Sequence, residues 1–182
     1  MQSSDTEAAL VQQAIKRDQA AFTELYELHV DRIFRHVIYQ VPDRTDAEDI
    51  TQEVFVKAWQ SIHRYRWTGA PFITWLIVIA RNAVTDYYRG RKNVRPLDET
   101  DDPRSAENPV EAAESKFNSI EIRKAVLELK GDKQAVILMR FIDGLSYEEI
   151  AGALKKSEGA IRVIQHRALS DLRKILARSG LQ

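Results

Sequence analysis

The stretch Leu145–Leu169, "LSYEEIAGALKKSEGAIRVIQHRAL", decides the fold. Ser146 followed three residues on by Glu149 is a capping box, so a helix starts there. Its continuation, "SYEEIAGAL", turns Ile150 and Leu154 inward, and Ala151 and Ala153 allow close approach. Lys155 and Lys156 form the turn, and Ser157 caps a second helix. At about 100° per residue, Ile161, Ile164, Ala168, Leu172 and Ile175 make its apolar stripe. Arg162, His166 and Arg173 lie on one edge of the opposite arc, Val163 and Ser170 at its middle, and Arg167 and Lys174 on the far edge. Gln165 projects near the stripe. Two short helices with a tight turn, the second basic on its free face, outline a DNA-reading helix-turn-helix. Arg162 and Arg167 suit guanine edges or phosphates, His166 a base or phosphate, and Lys155 and Lys156 phosphate. The bland alternative for this region alone is an ordinary helical hairpin.

A DNA reader ought to be basic, yet the 182 residues carry a formal net charge of zero. That neutrality is an average over unlike parts. Arg81, Arg89, Arg91, Lys92 and Arg95 stand against Asp86 alone in the segment 81–95. Lys155, Lys156, Arg162, Arg167, Arg173, Lys174 and Arg178 stand against Glu158 and Asp171 in 155–178. Between them "LDETDDPRSAENPVEAAES", Leu97–Ser115, is acidic except for Arg104. Two basic patches around an acidic connector indicate two nucleic-acid surfaces on two modules, the alternative being two solvated faces.

The remaining composition, 44% hydrophobic and 30% charged, suits a protein able to bury a core. There is no cysteine, which removes disulfides and thiolate metal sites and fits a reducing compartment. The N-terminus lacks the basic-then-apolar order of a signal peptide. The longest apolar run, "FITWLIVIA" (Phe72–Ala80), is too short to span a bilayer and reads as a buried helix.

Helical spacing runs through the sequence, without strand alternation or hairpin turn pairs and without a fixed-period repeat. Helices are expected near 5–17, 19–40, 45–62, 71–92, 109–130, 132–142, 146–153 and 157–177. Ser4 with Glu7 and Thr45 with Glu48 read as capping boxes, and Asn108-Pro109 with Glu111 as a further helix start. The expected architecture is all-α: an N-terminal helical domain over 1–92, a flexible acidic linker over 93–117 and a smaller C-terminal domain over 118–182.

In the N-terminal domain, "TDAEDITQEVFVKAWQSI" (Thr45–Ile62) buries Ile50, Val54, Ala58 and Ile62 and gathers Asp49, Gln52, Glu53 and Gln60 on its other side. An acidic, amide-rich face is unsuited to DNA; it is either solvated or docks on a basic protein surface. The following loop, "SIHRYRWTGAPF" (Ser61–Phe72), interleaves Arg64 and Arg66 with Tyr65 and Trp67. The next helix carries Trp75, Arg81, Asn82, Tyr87, Tyr88 and Arg89. Charge beside flat aromatic faces is what single-stranded nucleic acid requires, and a base lifted from duplex needs a pocket. Trp75 is better read as core.

At this point the residues resemble a known family. "DAEDITQEVFVKAW" looks like conserved region 2.2 of bacterial RNA polymerase sigma factors, "FITWLIVIARNAVTDYYRGRK" like regions 2.3 and 2.4, and "AVILMRFIDGLSYEEIAGALKKSEGAIRVIQHRALSDLRKIL" like region 4. Having only these two regions in about 180 residues makes the protein similar to the extracytoplasmic-function (ECF) subfamily. The resemblance implies an alternative sigma factor that binds core RNA polymerase and directs initiation by reading −10 and −35 elements. It assigns Asp49, Gln52, Glu53 and Phe55 to the polymerase clamp coiled coil, and Ile137, Leu138 and Phe141 to the polymerase flap. It puts Arg64, Tyr65, Arg66, Trp67, Asn82 and Arg89 at single-stranded −10 DNA. Lys155, Lys156, Arg162, Val163, His166 and Arg167 then face double-stranded −35 DNA. It also implies an anti-sigma partner and a place in the cytoplasm, without membrane insertion. The recognition helix departs from the family's usual proline-led "GTVxSR" run: Ser157 stands for the proline, and Val163 and Ile164 for polar or basic residues, so the family's −35 sequence does not carry over.

An enzyme is not expected, since neither a glycine-rich phosphate loop nor a Ser-His-Asp constellation is recognisable. His29 and His36, with Glu27 and Asp31 nearby, fit core or solvent histidines better than a metal site, and no cofactor is called for. The rival reading is a stand-alone helix-turn-helix regulator whose first domain senses a ligand or dimerises. The acidic 45–62 face, the aromatic loop and the second basic helix weigh against it.

Overall fold

The computed structural model describes residues 2–67, 69–91 and 111–178. Lys92, Arg95, the Asn108-Pro109 start and the acidic stretch 97–110 lie outside the described residues. Helices follow one another as α1 Gln2–Ile15, α2 Gln19–Ile38, α3 Arg44–Ser61, a short 3-10 turn Ile62–Arg64, α4 Phe72–Arg91, α5 Glu111–Glu128, α6 Asp132–Ile137 continued by a π turn Leu138–Ile142, α7 Tyr147–Leu154 and α8 Glu158–Arg178. Among the described residues there is no strand. Residues 111–117, read above as the end of the linker, are helical.

The described helices form two compact units, the first from α1 to α4 and the second from α5 to α8. In the first, Leu10, Val11 and Ala14 of α1, Leu25, Ile33 and Val37 of α2, Ile50, Val54 and Ala58 of α3 and Phe72, Ile73, Leu76 and Ile77 of α4 are all buried. A large apolar residue buried in full contributes about 1.5–3 kcal/mol over leaving it in water. "FITWLIVIA" is therefore the buried start of α4.

The turn between α1 and α2 is unusual. Arg17 adopts φ 70°, a left-handed conformation that glycine takes at least cost. Its N–H donates to the Ala14 carbonyl at 2.9 Å and the next N–H, of Asp18, to Gln13 at 3.2 Å. Those paired bonds close α1 as a Schellman motif. Asp18 then starts α2 by accepting from the Ala21 N–H at 3.0 Å.

Two expected capping boxes are not where the pattern put them. α1 already begins at Gln2 and α3 at Arg44, so Ser4 and Thr45 lie inside their helices. Glu7 is drawn away to tertiary partners: it accepts from the Phe72 N–H at 3.2 Å and sits 3.3 Å from His29 Nε2.

In the second unit Val126, Leu129, Ile137, Leu138 and Ala168 form a core, with Ile142, Leu169, Leu172 and Ile175 packed against it. Lys133 and Asp171 (2.6 Å) tie α6 to α8 at the surface.

Candidate nucleic-acid interface

The helix-turn-helix is built from α7 and α8. Both arms of the expected capping box are present: the Glu149 N–H donates to Ser146 Oγ at 3.1 Å and the Ser146 N–H to Glu149 Oε2 at 2.6 Å. Ile150 and Leu154 are buried. Lys155 closes α7 in the left-handed region (φ 53°), and Ser157 Oγ accepts from the Ala160 N–H at 3.2 Å to open α8. The tight turn thus fixes α8 against α7 and leaves one face of α8 free.

On that face Arg162, Val163, His166 and Arg167 are exposed together, while Ile161 and Ala168 are buried on the other side. Val163, half exposed at 50%, is an apolar residue set between cations. Arg162 is not loose. Its guanidinium lies 4.1 Å from the Tyr147 ring centroid and 3.2 Å from Glu158 Oε2, while Arg140 lies 4.7 Å from the same ring. Of the two turn lysines, Lys155 is exposed, whereas Lys156 is 3.1 Å from Asp132 Oδ2, so a phosphate there competes with that carboxylate. Gln165 is half-buried with its Oε1 enclosed, which keeps it from bases.

In the first unit α3 turns Asp49, Gln52, Glu53 and Gln60 outward. Val56 stands among them, 54% exposed. Glu53 holds Lys57 at 2.8 Å, and Asp86 of α4 approaches the same ammonium at 3.6 Å. These carboxylates, Glu53 first, raise the Lys57 pKa. Phe55, expected on this surface, is instead buried at 5% because Tyr26 of α2 covers it edge-on at 4.7 Å.

A similar correction applies to Ile137 and Leu138, which are core residues; only Phe141 of that trio is exposed, at 56%. On a continuous α-helix Phe141 would fall about 40° from Ile137 and point inward. The π turn, closed by the Asp143 N–H to the Leu138 carbonyl at 3.0 Å, changes that direction.

The loop after α3 packs Tyr65 onto the start of α4. Tyr65 is half-buried, 5.5 Å from the Phe72 ring and 4.8 Å from Trp75. Burial raises its phenol pKa, and the nearby Glu7 charge adds to the effect. Trp67 is half-buried, and Arg64, Arg66, Asn82 and Arg89 are exposed, Arg89 pairing with Asp86 at 3.2 Å. His29 and His36 are buried in α2, His29 beside Glu7, and no group of three or more metal-ligating side chains occurs among the described residues.

Known proteins match both units. Residues 25–94 match Sigma-70 region 2 and residues 125–174 match Sigma-70, region 4. The ECF RNA polymerase sigma factor BldN of Streptomyces coelicolor is 31% identical over 181 residues, 96% of this chain and 69% of BldN. SigX of Bacillus subtilis, also an ECF RNA polymerase sigma factor, is 34% identical over 163 residues, 86% of this chain and 84% of SigX. The chain belongs to the ECF RNA polymerase sigma factors. The structure of CnrH in complex with the cytosolic domain of CnrY is similar too, with a TM-score of 0.73 at 25% identity over 95% of this chain and 98% of that one.

As an ECF sigma factor the protein directs transcription initiation at promoters, and the stand-alone regulator is the weaker reading. The relatives are sigma factors rather than enzymes. No helix among the described residues is long and apolar enough to cross a membrane. Sequence reasoning missed four residues that stand beside the expected site residues: Val56 amid the acidic face, Tyr147 beneath Arg162, and Glu7 and Arg17 behind the aromatic loop. An exposed valine at mid-face was readable from the wheel. The other three act across long sequence separations and leave no local pattern.

Proposed function

We infer that this sigma factor divides its work among three surfaces. Asp49, Gln52 and Glu53 dock on the basic clamp coiled coil, with Val56 as an apolar contact at the centre, and Phe141 meets the flap. Arg64, Tyr65, Arg66, Trp67, Asn82 and Arg89 receive the single-stranded −10 element. Lys155, Lys156, Arg162, Val163, His166 and Arg167 face double-stranded −35 DNA, where the Val163 methyls suit a thymine C5-methyl. The organisation is a polymerase-docking and −10 domain over 1–92, a connector over 93–117 and a −35 domain over 118–182. The protein works in the cytoplasm and has no catalytic activity of its own. An anti-sigma partner that covers these faces is part of the reading, supported by the CnrH–CnrY likeness.

The observation that carries it is the opposite chemistry of two exposed helix faces, acidic on α3 and basic on α8. The test is transcription of a randomised promoter library by the protein with core polymerase, followed by transcript sequencing. Recovery of a two-element consensus with a fixed spacing is expected; transcripts that start equally with and without the protein would refute the reading.

A further inference from the structure

The aromatic loop has α3 behind it and α4 ahead of it, and a charged residue from the α1 hairpin holds each of those helix ends. At the first, Arg17 Nη1 donates to the Trp59 carbonyl at 2.6 Å and Nη2 to the Gln60 carbonyl at 3.3 Å. Nη2 also lies 3.0 Å from His63 Nδ1, and the guanidinium is 5.3 Å from the Trp59 ring centroid. Trp59 and Gln60 belong to the last turn of α3, whose carbonyls lack helical partners and carry the negative end of the helix dipole. A guanidinium that bonds two of them caps the C-terminal end of α3. At the second end, Glu7 Oε1 accepts from the N–H of Phe72, the first residue of α4, at 3.2 Å. A carboxylate suits the positive end of a helix for the same reason. His29 Nε2, 3.3 Å away, steadies Glu7 and places its ring 5.7 Å from Phe72. Tyr65 then packs on Phe72 and Trp75.

Arg17 also has a local cost. Its φ of 70° is a left-handed conformation that disfavours a Cβ. Glycine would relieve that strain and keep the Schellman turn. An arginine there makes sense if its side group does something that the turn does not need, and its contacts show what: it reaches across to α3.

We propose that Glu7 and Arg17 are positioning residues for −10 DNA opening, holding the α3 and α4 ends of the Arg64–Pro71 loop at the separation that lets Tyr65 and Trp67 receive an unpaired base. This rests on the reading that the loop meets the −10 strand. Neither residue touches DNA in this scheme. A loop whose ends drift by an ångström loses its alignment with the strand, which for positioned groups costs up to about a hundredfold in rate.

The test uses holoenzyme assembled with Arg17→Gly, Arg17→Lys, Glu7→Ala and Glu7→Gln on a promoter recovered from the library experiment. Two templates are compared, full duplex and one pre-melted at −10, with permanganate reactivity of −10 thymines and abortive transcript yield as readouts. Arg17→Gly keeps the turn and removes the cap, so the protein stays folded and binds core polymerase as before. Its opening of duplex falls about tenfold or more, and the pre-melted template restores most of the loss. Glu7→Ala behaves alike. Glu7→Gln retains an acceptor for the Phe72 N–H and Arg17→Lys retains one cationic donor, so both fall between. Wild-type opening by Arg17→Gly and Glu7→Ala overturns the proposal. So does an equal loss on both templates, which marks a general folding or docking defect. Tyr65→Ala with Trp67→Ala serves as the control. If that pair opens duplex normally, the reading of the loop itself fails; if it is defective while the Glu7 and Arg17 variants are normal, only the positioning role falls.

Discussion

In the proposed reading Arg162 meets DNA from a place already furnished with partners. The Tyr147 ring and the Glu158 carboxylate hold its guanidinium before any DNA arrives. Such a residue loses little rotamer freedom on binding, but it exchanges a carboxylate for a base edge or phosphate. Arg162→Ala and Arg167→Ala are each expected to cost about 1–3 kcal/mol in −35 discrimination if the guanidinium reads a base, with polymerase binding intact. Competition between consensus and single-substituted −35 duplexes for the holoenzyme measures this; unchanged preference in both mutants removes α8 as the reader. A second residue-level expectation concerns acid. The His29 imidazole, 3.3 Å away, is the chief cause that lowers the Glu7 pKa, with the Phe72 N–H and the Arg32 charge adding to it and burial opposing it. A carboxyl depressed in the folded state contributes stability above its unfolded pKa, and that contribution is lost as pH falls through the folded value. The stability gap between wild type and Glu7→Gln should therefore be full near neutrality and close on the acid side of about pH 4.3, the ordinary glutamate value. Denaturant midpoints across pH 3–7 check it, and a gap independent of pH would deny Glu7 its charged role.

Among the helices, periodicity was a sound guide to which face is buried and a poor one to what replaces regular helix. The stripes of α3, α7 and α8 are where the 100° wheel places them, because an amphipathic helix must turn its apolar face to the core of its own unit. The wheel does not foresee the π turn after α6, since one extra residue in a turn has no sequence signature, and so Ile137 and Leu138 could not be told from Phe141. Phe55 misled for another reason: it lies at the edge of the α3 stripe, and whether an edge residue is covered depends on the neighbouring helix, here on Tyr26. The consequence is measurable. Leu138→Ala should destabilise by about 2–5 kcal/mol as a cavity in the core, whereas Phe141→Ala should leave the thermal transition near wild type and weaken flap binding. On α3, Asp49→Lys with Glu53→Lys should keep the helical circular-dichroism signal yet fail to co-purify with core polymerase, because a like-charge contact at an interface costs several kcal/mol. Full polymerase binding by that double mutant would overturn the docking assignment.

For the molecule as a whole the question is how a protein with no net charge engages a polyanion. Counterion release rewards local cations, not the average, so the basic face of α8 is sufficient for contact. It is not sufficient for tight contact, since Glu158 and Asp132 occupy Arg162 and Lys156, and the acidic stretch 97–111 follows the first basic patch in sequence. Two weak elements become one strong site only if something fixes their separation, and core polymerase is the candidate. Once the −35 module is seated, a −10 module held at the right distance binds at an effective concentration set by the scaffold, which can raise overall affinity about 10²–10⁴-fold without a new contact. The free protein should therefore bind a duplex carrying both elements hardly better than one carrying −35 alone, and both weakly, with a steep salt dependence. With core polymerase the two-element duplex should gain by orders of magnitude, and a change of half a helical turn in spacing should abolish the gain. Anisotropy titrations of the four combinations, at two salt concentrations, separate these cases. If the free protein already showed the large two-element gain and its spacing dependence, it would be setting the separation itself, and the scaffold role given to polymerase would have to be abandoned.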